Sequence, residues 1–253
     1  MRKRLPAFVL GMAMVFTMPY TASADLIFDV DLGGMAGSGL GTVSTILTIQ
    51  SPGSGSLESG GVSRSGGADV KSDTGVLASG GTTNVGNVKT GASQTLTQTF
   101  GGNGITKASQ VAIVFNADEP SGNSITLTGL QMSVFNGNTD IFDAHLPASV
   151  TFPTTFTGIG KEGFVFRLDT TQAAALQTVL NGLTSAEVAA LRLGLSASAS
   201  EATGGPETFN LATITAVPVT LTAVPESGGT FLFTATALAG LSFVAWRRRN
   251  KSV

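Results

Sequence analysis

The feature that most constrains this chain is an alternation of apolar and polar residues with a period of two, repeated in short runs through residues 25–223. Such alternation places the apolar side chains of a strand on one face, where a second layer can bury them. Glycine, serine and threonine dominate the stretches between the runs and are typical of turns. Roughly nine to eleven short strands fit this pattern. The sequence therefore predicts a mainly β protein, an antiparallel β-sandwich of jelly-roll-like type.

The predicted strands differ in how they are covered. The positions that share a face within each alternating run are Leu26, Phe28 and Val30; Val43, Thr45, Leu47 and Ile49; Phe164, Phe166 and Leu168; Leu191, Leu193, Leu195 and Ala197; and Phe209, Leu211 and Thr213. In the first run, Asp29 and Asp31 occupy the opposite face. Residues 111–115 are almost continuously apolar, which predicts a central strand covered on both faces. Gly129 separates two runs that are one residue out of phase, which indicates either a β-bulge or two strands.

One stretch follows helical rather than strand rules. Asp169 is a suitable N-cap for an alanine-rich run at residues 170–180, and Gly182 follows where that helix should end. Thr184 and Glu187 form the capping-box pattern of a second short helix. We expect a helical hairpin inserted between strands, covering an edge or an open part of the core.

Residues 51–91 are rich in glycine, serine and threonine and contain isolated valines. This composition fits either twisted strands of weakly defined register or a flexible loop. The valines recur, and loops of this length are uncommon within compact domains, so strands are favoured.

The N-terminal segment, residues 1–24, has the three parts of a secretory signal peptide. Residues 2–4 are basic, residues 5–18 are almost entirely apolar, and Ala22 and Ala24 supply the small residues that signal peptidase requires. The expected partners are the Sec translocon and signal peptidase. The alternative is an uncleaved N-terminal membrane helix.

The C-terminal segment, residues 224–253, also has three parts. Residues 230–246 are apolar and form a predicted transmembrane helix, slightly short for a hydrocarbon core of about 30 Å. The motif that precedes this helix consists of Val224, Pro225, Glu226, Ser227 and Gly228. The predicted stop-transfer cluster that follows it consists of Arg247, Arg248 and Arg249. Arginines remain cytoplasmic, so the ectodomain, residues 25–223, is expected outside the inner membrane.

This tripartite end resembles the PEP-CTERM sorting signal of Gram-negative bacteria. Ser227 stands where that family usually has a second proline, which brings the motif close to the related Val-Pro-Asp-Ser-Gly variant. The resemblance implies a membrane-embedded exosortase as the sorting enzyme. It also implies inner-membrane anchoring before sorting, then a cell-surface or extracellular-matrix location, with an exopolysaccharide as a further expected partner. A plain C-terminal membrane anchor is the alternative.

Composition narrows the chemistry that the ectodomain can perform. The chain has no cysteine, which excludes disulfides, thiolate metal sites and cysteine nucleophiles. Residues 25–224 contain seven Lys and Arg against fifteen Asp and Glu, a formal charge of −8. This charge repels phosphate backbones, so nucleic acid is not an expected partner. Tyr20 and Trp246 lie outside the ectodomain, which therefore lacks the rings on which sugars usually stack.

Candidate reactive residues are few. His145 is the single histidine, and no Gly-x-Ser-x-Gly elbow accompanies it, so we expect a surface or turn histidine. Asn136, Asn138, Asp140 and Asp143 are spaced like calcium ligands. However, Ile141 and Pro147 replace the glycine and glutamate of an EF-hand loop. Another acidic loop spans residues 118–123. Turn chemistry accounts for both loops without an ion.

We therefore predict no catalytic residues, no metal and no cofactor in this chain. The predicted function is that of a non-enzymatic envelope or extracellular-matrix surface protein. A polysaccharide- or protein-binding adhesive module is the alternative, and a hydrolase is a more distant one. A concave apolar or acidic surface on the sandwich would favour the binding module.

Overall fold

The computed structural model describes residues 25–30, 34–36, 44–51, 56–79, 81–91, 93–120, 122–153 and 162–214. The predicted signal peptide at residues 1–24 and the predicted sorting segment at residues 224–253 lie outside them. Within the described part of the chain, no helix is both long and apolar enough to cross a membrane.

The described residues form a mainly β structure with two short helices. The strands are β1 (Leu26–Phe28), β2 (Gly34–Ala36), β3 (Ser44–Ile49), β4 (Leu57–Ser65), β5 (Ala68–Ser72), β6 (Thr74–Val76), β7 (Thr82–Asn84), β8 (Gln98–Thr99), β9 (Val111–Ala117), β10 (Ser124–Asn136), β11 (Thr139–His145), β12 (Val150–Pro153), β13 (Glu162–Leu168), β14 (Arg192–Ser200) and β15 (Glu207–Thr213). The helices are α1 (Thr170–Asn181) and α2 (Ser185–Ala190).

Two antiparallel sheets pack together. The first sheet has the order β1-β13-β9-β15-β3, with β2 also paired to β13. The second sheet has the order β11-β10-β14-β4-β5, with β12 paired to β10 and β8 to β14. The described part holds fifteen strands, more than the nine to eleven predicted. The excess comes from β2, β6, β7 and β8, whose two or three residues are too few to show an alternation.

The core between the sheets is built on strand β9. All seven of its residues are buried, with Ile113 and Phe115 facing the core and Ala112 and Val114 forming a second apolar cluster on the opposite face. This arrangement confirms the predicted central strand covered on both faces. Phenylalanine rings fill the core beside it, and the ring centroids of Phe115 and Phe209 are 4.8 Å apart.

The glycine between the two out-of-phase runs lies within one long strand, β10. The register of β10 against β14 shifts between Leu127 and Gly129, so the β-bulge is confirmed and the two-strand alternative is wrong. Gly129 also allows another segment of the chain to pack directly against the β10 backbone. A Cβ atom at this position would lie 1.8 Å from the carbonyl oxygen of Val76. The β6–β7 hairpin packs here, on the face of the second sheet that points away from the core.

This hairpin belongs to the glycine-, serine- and threonine-rich region. Residues 57–84 contribute β4, β5, β6 and β7, so strands rather than a flexible loop are confirmed for that part. Gly75 of the hairpin lies close to the backbone of β14. A Cβ atom at Gly75 would lie 2.1 Å from the Ala197 carbonyl oxygen. The small residues allow backbone to lie directly on backbone.

The first predicted strand is correct only in part. Leu26 is buried and Phe28 packs against the core, but Val30 is 71% exposed and Asp29 is only 5% exposed. Asp29 Oδ2 lies 2.7 Å from Arg167 Nε in an ion pair with β13. The strand ends at Phe28, so the alternation does not continue into the turn. Asp31 lies outside the described residues.

The two helices follow the predicted capping chemistry. Asp169 Oδ1 accepts a hydrogen bond of 2.6 Å from the Gln172 backbone N–H, which fixes the start of α1. Thr184 and Glu187 accept hydrogen bonds from each other's backbone N–H, at 3.3 Å and 2.8 Å. Buried side chains from both helices, including Leu176 and Val188, join the core. The helices therefore close one end of the sandwich, which we call the helical end.

Candidate functional site

The predicted sorting and processing residues lie outside the described residues. They are Ala22 and Ala24, the motif Val224, Pro225, Glu226, Ser227 and Gly228, and the cluster Arg247, Arg248 and Arg249. Their roles stay predictions from the sequence.

His145 lies in a strand rather than in a turn. It is the last residue of β11, half-buried, and pairs in register with Gln131 of β10. Its backbone also forms a bridge with Asp25. The neighbouring carboxylate of Asp143 accepts hydrogen bonds from Ser133 Oγ at 2.5 Å and from Gln131 Nε2 at 3.0 Å. The predicted turn position is wrong, because His145 lies in a strand. The predicted surface position holds only in part, because the residue is half-buried.

The calcium-like sequence forms the turn and the second strand of the β10–β11 hairpin. Asn138 Oδ1 accepts a 2.8 Å hydrogen bond from Gly67 N, and Asp140 Oδ1 accepts one of 3.2 Å from Phe142 N. Burial and the nearby Asp143 raise the pKa of Asp140. In the part of the chain that the structure describes, no three His, Asp or Glu side chains are arranged to hold a metal ion.

The second acidic loop, residues 118–123, holds the connection between β14 and β15 through hydrogen bonds. Glu119 is 2% exposed, and its carboxylate accepts hydrogen bonds from Thr203 N and Thr203 Oγ1, both at 2.7 Å, and from Gly204 N at 3.1 Å. The carbonyl oxygen of Asp118 accepts a further one from Gly205 N. Burial and the charge of Glu119 raise the pKa of Asp118. The β9–β10 connection therefore holds the β14–β15 connection.

Beneath these connections lies a buried pair of carboxyl groups that connects the two sheets. Glu58 of β4, in the second sheet, is 2% exposed, and Glu207 of β15, in the first sheet, is fully buried. Glu58 Oε1 accepts a 2.5 Å hydrogen bond from Ser51 N. Among the residues that the structure describes, none donates a hydrogen bond to Glu58 Oε2 or to either carboxyl oxygen of Glu207. We call this the loop end of the sandwich.

The environment of the pair determines its protonation. Burial, followed by the adjacent carboxyl of Glu58, raises the pKa of Glu207 from its ordinary value of 4.5 to about 11. Two carboxylates so close cannot both ionise at low cost, whereas a single proton between them supplies the missing donor. Asp69 shows the contrast. Burial alone raises its pKa, but hydrogen bonds from Thr97 and Arg64 outweigh this effect and lower the pKa overall.

The pair does not follow from the predicted turn chemistry, although one signal for it exists in the sequence. Glu207 has the same strand parity as Phe209 and Leu211, which face the core, and Glu58 has the same parity as Val62. An acidic residue at a core-facing position is rare and costs free energy when it ionises. Strand parity could therefore have predicted that both glutamate side chains face the core, but not that they lie next to each other.

A cleft of about 310 Å³ lies at the helical end. It opens between the α1–α2 pair and the segment at residues 101–106. Ile105, Leu180 and Val188 provide apolar walls, and Gln177 and Asn181 provide amide groups. This cleft thus lies at an end of the sandwich rather than on a sheet face.

The chain matches no protein-family model, and no curated protein and no solved structure is significantly similar to it. Its function is accordingly inferred from its own residues and their arrangement.

Proposed function

We propose that this chain is an exported, non-enzymatic surface protein of the bacterial cell envelope or extracellular matrix, sorted through its C-terminal segment. The observation that carries the proposal is the tripartite C-terminus: the motif from Val224 to Gly228, an apolar stretch at residues 230–246 and the arginines that follow. A polar motif, a membrane helix and a cytoplasmic basic cluster together fix a topology. The signal-peptide pattern at residues 1–24 supports the same direction of export.

The strand order supports a jelly-roll body for this surface module. Four strands of the first sheet, β3-β15-β9-β13, face four of the second, β4-β14-β10-β11. The chain changes sheet from β3 to β4, from β8 to β9, from β9 to β10, from β12 to β13, from β13 to β14 and from β14 to β15. This order is similar to that of two Greek keys wrapped into a jelly roll, a scaffold that lectin and capsid domains use, and it supports the proposed jelly-roll type. The scaffold by itself assigns no activity.

The use of the acidic side chains supports a structural module. Glu119 fastens a loop, Asp169 and Glu187 cap helices, and Asp69 accepts hydrogen bonds from Thr97 and Arg64. These carboxylates serve the fold rather than face an open cavity. An adhesive module that binds a polysaccharide or a protein is the second candidate, and the cleft beside α1 and α2 favours it.

Sorting can be tested by replacing the motif while leaving the anchor intact. We expect the double variant Pro225→Ala, Glu226→Ala to remain in the inner membrane at full length, because the helix still anchors it while recognition is lost. The wild type should instead reach the surface fraction with a shortened C-terminus. Fractionation of the native host with mass spectrometry of the C-terminus measures both.

The matched control is Pro218→Ala with Thr220→Ala, which changes a proline and a polar residue shortly before the motif and should be sorted like the wild type. Identical fractionation and identical mass for the wild type and the Pro225/Glu226 variant would leave a plain anchor and reject the proposal.

A further inference from the structure

The cleft at the helical end lies between two walls that are fixed against each other. One wall is the segment at residues 101–106, and the other is the α1–α2 pair. The walls touch at Gly101, where a Cβ atom would lie 2.9 Å from the Ala189 carbonyl oxygen. Ile105 is 1% exposed, and its backbone N–H donates a 2.9 Å hydrogen bond to the Phe100 carbonyl oxygen. The cleft is therefore formed by the fold itself, as small-molecule sites usually are.

The lining of the cleft restricts the chemistry of a ligand. Ile105, Leu180 and Val188 belong to the core and form an apolar back. None of the described residues that line the cleft is charged or aromatic. An uncharged lining does not offset the desolvation of an ionic ligand, and a lining without rings cannot stack on the face of a sugar. A ligand of this cleft must therefore be neutral and recognised through a substituent.

Hydrogen bonds within the walls orient a donor and an acceptor. Gln177 Oε1 accepts from Ala108 N at 3.0 Å, and Gln177 Nε2 donates to Asn181 Oδ1 at 2.8 Å. Asn181 is thus held through its oxygen, which leaves its Nδ2 as a donor for a ligand. On the other wall, Thr106 Oγ1 donates to Gln110 Oε1 at 3.1 Å, so its lone pairs can accept. The two walls therefore offer complementary polar groups beside the apolar back.

We propose that the cleft binds the acetamido group of an uncharged N-acetylated sugar residue. An acetamido methyl needs apolar contacts, its carbonyl oxygen needs a donor, and its N–H needs an acceptor. The core residues of the cleft provide the first, Asn181 Nδ2 the second and Thr106 Oγ1 the third. The sugar ring then lies at the mouth, beside the exposed Ser185. A volume of about 310 Å³, at the lower limit of small-molecule sites, suits one sugar residue rather than a longer chain.

This assignment gives a ligand class to the adhesive module that is the second candidate function, and it rests on that candidate. Sorting depends on the C-terminal segment and not on the cleft. The two proposals can therefore fail separately.

Saturation-transfer difference NMR of the full chain in a mild alkyl detergent tests the assignment. Aromatic protons are irradiated, because the detergent has none. With N-acetylglucosamine or N-acetylgalactosamine as the probe, the acetyl methyl protons should receive the strongest saturation. Glucose, which lacks the acetamido group, should receive none over the same concentrations. N-methylacetamide, which lacks the sugar, should bind about tenfold more weakly, because it makes no hydroxyl hydrogen bonds at the mouth.

Two matched pairs of variants locate the site. Ser185→Phe places a ring in the mouth and should abolish binding. Ala186→Phe changes the next residue, which is also exposed but does not line the cleft, and should bind like the wild type. Asn181→Ala removes the donor and should weaken binding about tenfold. Thr178→Ala, one turn earlier on α1 and outside the lining, should leave binding unchanged. If Ser185→Phe does not fold, Asn181→Ala decides the result.

Three results would overturn the assignment. The first is the absence of saturation for both N-acetylated sugars with the wild type. The second is equal binding of glucose or of N-methylacetamide, since the acetamido group or the sugar would then not be recognised. The third is wild-type affinity in Asn181→Ala and in a folded Ser185→Phe, since the probes would then bind elsewhere. Ser185→Phe should be sorted like the wild type in the native host, so a negative binding result leaves the sorting proposal standing.

Discussion

Replacing Glu207 by glutamine should stabilise the protein at neutral pH, although it alters a fully buried residue. The unfolded chain ionises this carboxyl near pH 4.5, whereas the folded chain retains the proton up to about pH 11. Each pH unit in this interval costs the folded state about 1.4 kcal/mol. At pH 7.5, three units above 4.5, the cost is on the order of 4 kcal/mol. This cost at pH 7.5 depends little on the folded-state pKa of about 11, which only sets the pH at which the stability stops falling.

Glutamine removes this cost because it has the shape of the protonated acid and does not titrate. Its Nε2 can donate to Glu58 Oε2, which has no donor within the described part of the chain. Any local relaxation that admits water to Glu207 limits the penalty in the wild type, so about 4 kcal/mol is the largest gain expected. Near pH 4.5 the variant and the wild type should have nearly equal stability.

Urea unfolding followed by far-ultraviolet circular dichroism measures this, because the ectodomain has no Trp or Tyr for fluorescence. The free energy of unfolding should fall with pH in the wild type and stay nearly level in Glu207→Gln. Glu201→Gln, which alters an exposed carboxylate, should follow the wild type. A Glu207→Gln protein that is less stable than the wild type at pH 7.5, or that keeps the same pH slope, would refute the shared proton.

The remaining predictions concern packing, ions and the histidine. Gly129→Ala should cost about 1–3 kcal/mol, because the new Cβ would overlap the Val76 carbonyl oxygen and push the β6–β7 hairpin off the sheet. Gly182→Ala, at an exposed position with a φ of −82°, should leave urea unfolding unchanged or slightly more resistant. Neither EDTA nor excess calcium should shift the melting temperature, and a large rise with calcium would reveal a cation site. His145→Ala should change stability by less than about 0.5 kcal/mol, and loss of a measurable hydrolase activity in this variant would contradict the non-enzymatic proposal.

The sequence by itself determined the features that depend on neighbours along the chain. Alternation over a few residues predicted which side chains of β13 and β14 face the core, and the almost continuous apolar run at residues 111–115 predicted that β9 is covered on both faces. The helix starts at Asp169 and Thr184 were equally predictable, because a cap and the N–H that it accepts from lie within three residues. The phase change at Gly129 likewise predicted the bulge in β10. Periodicity failed at Val30, where the strand ends before the pattern does.

Only the tertiary structure decided which distant residues meet. Parity indicates that Glu58 and Glu207 point inward, but their contact depends on the order of strands in two different sheets. The same holds for the Asp29–Arg167 ion pair and for the hairpin that rests on Gly129. Side-chain periodicity carries information about a face, whereas partners across sheets are set by register and sheet packing, which no local pattern encodes.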